Sequence, residues 1–167
     1  MGLLSTAVGA VVAAILEVSV LAQLQLAGIR PDLVLAVGIG VAMTMGFDAA
    51  IVWAFVGGLL LDVMLPERPI GSTTLAMLIS VGVALVVARV VESPRLMVIG
   101  ATAFGITFLY EALLTAILAF ASGVDVGALS LASWALVAMA SGVIAVIAAW
   151  VIRSLLLRFG TFERVDW

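Results

Sequence analysis

The chain has 167 residues, 66% hydrophobic and 10% charged, with a mean hydropathy of +1.41. Soluble domains run at about 45–50% apolar and 25% charged, so this composition excludes a water-soluble globule and specifies an integral membrane protein. Seven basic against ten acidic residues, with no basic cluster, leave no footprint for nucleic acid, and the absence of His and Cys removes zinc sites, disulfides and thiol or imidazole catalysis.

Apolar stretches long enough to cross a hydrocarbon core of about 30 Å recur along the whole length. No polar segment is large enough for a second domain, so residues 1–167 are read as a single membrane domain. The predicted architecture is an all-α polytopic bundle of six transmembrane helices, at about 3–26, 32–46, 49–65, 72–91, 95–121 and 129–155. The first carries no positive flank and outruns a secretory signal, so it is a retained helix. Gly28 and Pro31 separate it from the second, which is short for a span. A tilted or re-entrant second segment would leave five spans. Asp48 is placed to cap the third helix, and Ser93 with Pro94 to open the fifth. Ser122-Gly123 closes that helix.

All seven basic residues are Arg. With the N-terminus inside, Arg89, Arg95, Arg153, Arg158 and Arg164 fall on the cytoplasmic side and only Arg30 and Arg68 outside, so both termini are expected to be cytoplasmic. Trp53 and Trp150 are then expected at the inner interface and Trp134 at the outer one.

Small residues recur at four-residue spacing, as at Ala10/Ala14 and Ala54/Gly58, which allows close helix approach. Ala54, Gly58 and Asp62 share one stripe of the third helix, and that stripe should face another helix. A carboxylate at the negative C-terminal end of a helix needs a partner from elsewhere. Arg68 and Arg30 are two choices. The preferred one is the set of free amides at the start of the fourth helix, around Ser72, reached because Pro66 and Pro69 stiffen the loop and Gly71 permits a positive φ. Asp62 and this loop are alternatively a docking surface or the floor of a pocket.

Glu17 and Glu111, the latter beside Tyr110, are expected near the middle of the first and fifth helices as buried polar groups. Hydrogen bonds to Gln23, Thr102, Thr107 or Thr115 would make them a packing clasp, a ligand cavity or a proton relay. No nucleophile–base pair, metal cluster or cation array is visible. Neither enzymatic activity nor a cofactor is expected.

Pro31-Asp32-Leu33, the small-residue stripe ending in Gly58-Leu59-Leu60-Leu61-Asp62, and Pro69-Ile70-Gly71 together resemble the rod-shape-determining MreD family. That family carries Pro-Asp-Leu opening the second helix, Gly-x-x-x-Gly-x-x-x-Asp ending the third, and then a Pro-x-Gly turn. Here Ala54 stands for the first Gly, and Phe47-Asp48 for the usual basic turn. The match covers mainly residues 31–75. The resemblance implies a non-enzymatic scaffold of the cell-elongation machinery in the bacterial inner membrane, supporting lateral peptidoglycan synthesis. Its partners would be a bitopic MreC-like protein and, further out, a RodA-type glycosyltransferase with its transpeptidase. Carried onto this chain, the motif falls on Pro31, Asp32, Gly58, Asp62, Pro69 and Gly71, at an end of the bundle where a partner's helix could pack. Self-association is left open, as is the occupancy of any pocket by lipid.

A second reading is the substrate-binding subunit of an energy-coupling-factor-type vitamin transporter, a fold the MreD family is thought to resemble. Such subunits pack a first-helix Ala-x-x-x-Ala on a coupling subunit, and Ala10/Ala14 fits that pattern loosely. A polar vitamin pocket usually needs inward-reaching polar side chains. The chain has no Lys, His or Asn, which favours the scaffold.

Overall fold

With no water in the hydrocarbon core, a spanning backbone must satisfy its own amides and carbonyls. The computed structural model describes residues 3–21, 32–65, 69–91, 96–122 and 131–159, and it meets this demand with helices alone among them. These are α1 (Leu3–Leu16), continued by a π-helical turn (Glu17–Leu21), α2 (Leu33–Met45), α3 (Phe47–Met64), α4 (Ser72–Val90), α5 (Leu96–Ser122) and α6 (Leu131–Phe159). Four of them are long and apolar enough to cross a membrane, over Phe47–Met64, Ser72–Val90, Met97–Ala121 and Trp134–Ser154. The protein is a helical membrane bundle.

The helix order follows the expected one, and the differences have local causes. The first helix leaves α-geometry at Glu17, five residues wide in π-form, where the sequence pattern continues unbroken. The break between α2 and α3 is one residue, Gly46, rather than a Phe47-Asp48 turn. Its φ of 89° and ψ of −170° lie where essentially only glycine is stable. Asp48 therefore stands inside the first turn of α3, and the helix has no side-chain cap. Ser93, Pro94, Gly28 and Gly123 lie outside the described residues.

α2 is the centre of the bundle. At 13 residues it is about 20 Å long, short of the hydrocarbon thickness, and it touches each of the other five helices. Residues 34–36 and 38–43 are all buried. Around it the neighbours run α1, α3, α4, α5, α6, so α1 packs chiefly on α3 and α6 packs back on α2. Small residues set these approaches. A Cβ on Gly40 would stand 3.7 Å from Ala148 Cβ, and Gly142 lies against the Gly100 carbonyl.

Trp53 is buried inside the bundle, 6% exposed. Its indole fills the space beside Gly9 of α1 and Gly38 of α2, and its Nε1–H donates to the Val34 carbonyl at 2.9 Å. The buried indole N–H is thereby satisfied within the bundle. Trp134 stacks edge-on with Phe108, their centroids 6.5 Å apart, and Trp150 is exposed.

Candidate functional site

Three of the sequence-marked residues, Gly58, Asp62 and Gly71, meet where α3 ends and α4 begins. Asp62 closes the Ala54/Gly58/Asp62 stripe, which is buried throughout, and its carboxyl is 1% exposed. Oδ1 accepts the Thr73 amide at 2.9 Å; Oδ2 accepts the Gly71 and Thr74 amides, each at 3.0 Å, and the Thr74 hydroxyl at 2.6 Å. Of the neighbouring amides, Ser72 N–H donates to the Pro69 carbonyl and Leu75 N–H to that of Gly71. Asp62 is thus the N-cap of a helix to which it does not belong, the role expected for it from the sequence. The negative charge lies on the positive end of α4, which offsets its place at the negative end of α3.

Two glycines make this reach possible. Gly71 takes φ 95°, the left-handed conformation that turns the chain into α4. Gly58, one turn below Asp62, lets α4 come so close that a Cβ there would stand 2.7 Å from Thr74 Cα. Pro69 is half-buried beside the turn, its carbonyl engaged as described. Pro31, Pro66, Arg30 and Arg68 lie outside the described residues. Asp32 occupies the N-cap position of α2 with no side-chain bond to that helix's amides.

A second cap, which sequence reasoning missed, serves α2. Glu17 Oε2 accepts the Val34 amide at 2.8 Å. Of the partners expected for Glu17, hydroxyls and Gln23, the latter lies outside the described residues. Its position at the π-helical end of α1 brings it to the first turn of α2, and it is half-buried rather than buried. No local signal marked this role, since the apolar pattern runs on unchanged past Glu17.

Val34 ties three helices together. Its amide is held by Glu17 and its carbonyl by Trp53, while its Cγ1 would lie 2.5 Å from a Cβ on Gly57. α1, α2 and α3 are therefore locked at one residue. The Glu111/Tyr110 pair sits on α5, with the Tyr110 ring fully buried in the core and Glu111 half-buried.

Chemically, the arrangement fixes helices. The Asp62 oxygens are occupied by four donors, and among the described residues no three acidic side chains gather to hold a metal ion. Ala10 and Ala14 are fully buried against the rest of the chain. Comparison of the chain with protein-family models, with curated proteins and with solved structures finds no match in any of the three.

Proposed function

We propose that the chain is a non-enzymatic scaffold subunit of the bacterial cell-elongation machinery, similar to the MreD family, and that it binds an MreC-like single-span partner in the inner membrane. The observation that carries this reading is the corner at Asp62. Gly58, Asp62 and Gly71, three of the residues on which the resemblance rests, act together in one rigid joint between α3 and α4. A carboxylate committed to four donors holds shape and leaves no free base for chemistry. The end of the bundle that it fixes is offered as the platform for the partner's helix and juxtamembrane segment.

The vitamin-transporter reading is weaker on a specific point. The Ala-x-x-x-Ala pair it needs for a coupling subunit is fully buried here, with Ala10 Cβ 3.9 Å from the Cβ position of Gly57. The test is to purify the tagged full chain from its native membranes in mild detergent and identify the co-purifying proteins by mass spectrometry. A single-span protein with a large extracytoplasmic domain, together with wall-synthesis enzymes, is the expected result. A pair of ATPases with a coupling subunit, or a bound vitamin, overturns the proposal.

A further inference from the structure

At the opposite end of the bundle from Asp62, the C-terminal ends of α2 and α4 and the start of α3 enclose a half-open cavity of about 660 Å³. That volume lies within the roughly 300–1,000 Å³ typical of ligand sites. Met43, Phe47, Leu85 and Ala88 give it an apolar side, Thr44 contributes a polar one, and Arg89 is the one charged residue among the described residues that line it. Arg89 is exposed and borders the cavity, so its guanidinium is accessible from outside the bundle.

We infer that this cavity is a binding site for an anionic phospholipid, with the headgroup phosphate on Arg89 and acyl chain against Met43, Phe47 and Leu85. Three observations converge. The site lies at helix ends; its lining is mixed, with the apolar side chains of Met43, Phe47, Leu85 and Ala88 to suit an acyl chain beside a polar part that includes Thr44 and Arg89 to suit a headgroup; and its one charged group among the described residues is an arginine, whose fork matches phosphate oxygens. The arginine bias of the sequence assigns this end to the cytoplasmic leaflet, where anionic lipids attract basic pockets between helices. The inference stands apart from the partner proposed above, since it concerns the other end of the molecule.

The test uses the delipidated full chain in detergent, with phosphatidylglycerol and phosphatidylcholine of identical acyl chains as probes and native mass spectrometry as readout. Phosphatidylglycerol adducts should exceed phosphatidylcholine adducts about fivefold, the effect of one Arg near an anionic headgroup. Arg89→Gln should abolish the preference and Arg89→Lys should retain most of it. Ala88→Phe, which fills the cavity, should reduce both adducts. Unchanged thermal unfolding of the variants separates loss of the site from loss of fold, and the lipid preference of the parent chain itself carries the test if Gln unfolds the chain. Equal retention of the two lipids by the parent chain, an unaltered preference in Arg89→Gln, or displacement of the lipid by inorganic phosphate alone overturns the assignment.

Discussion

A single buried carboxylate decides how α3 and α4 meet. Asp62→Leu removes every acceptor and leaves the amides of Gly71, Thr73 and Thr74 without one, at about 1–3 kcal/mol for each buried amide. Asp62→Asn keeps one oxygen but turns an NH₂ group toward the same donors. We expect a loss of about 1–2 kcal/mol for Asn and at least about 3 kcal/mol for Leu, read as thermal unfolding by circular dichroism in detergent. Equal losses would falsify the capping role. Asp62 was legible in the sequence because an acid inside an oily run demands donors, and an Asp followed by a Gly-Ser-Thr-Thr start supplies them. Trp53 was not legible as a buried residue. Its acceptor, the Val34 carbonyl, is created by tertiary packing 19 residues away, and no local pattern encodes it.

Between elements, the controlling variable is how near two backbones come. Gly58 and Gly82 both sit inside helices, yet they have opposite surroundings. A Cβ on Gly58 meets the backbone of Thr74, whereas one on Gly82 meets nothing within 4 Å. Gly58→Ala should therefore push α4 off α3 at a cost of about 1–3 kcal/mol, and Gly82→Ala should be neutral or stabilise by up to about 1 kcal/mol. Parallel unfolding curves of the two variants give the comparison, and a Gly58→Ala protein as stable as its parent would mean that α3 and α4 are not in contact here. Helix number, order and most ends were readable because apolar runs and Gly/Pro punctuation are local. The exact break at Gly46 was obscured by Asp48, which looks like a cap but stands within the first turn of α3. The π-turn at Glu17 was hidden because the apolar pattern on either side of it does not change.

Over the whole molecule, the arrangement the sequence conceals is the central position of α2 and its contact with α6, the element farthest from it along the chain. The chain has no cysteine, so an introduced pair can report on it without background. The Cβ positions of Gly40 and Ala148 are 3.7 Å apart, inside the roughly 3.5–4.5 Å that a disulfide requires. Gly40→Cys with Ala148→Cys should form an intramolecular bond under mild oxidation, seen as a mobility shift on non-reducing gels that reductant reverses. Absence of the bond, with both thiols reactive in the unfolded chain, would disprove α2–α6 packing. The place of α2 also bears on biosynthesis. A segment of 13 residues, about 20 Å long, is too short to partition into lipid as a span of its own. Its shelter includes α6, which the ribosome makes more than 80 residues later. Until then the nascent chain must keep α2 beside α1 and α3, tethered through Val34 to Glu17 and Trp53. The last helix to emerge is thus the one that completes the burial of the second.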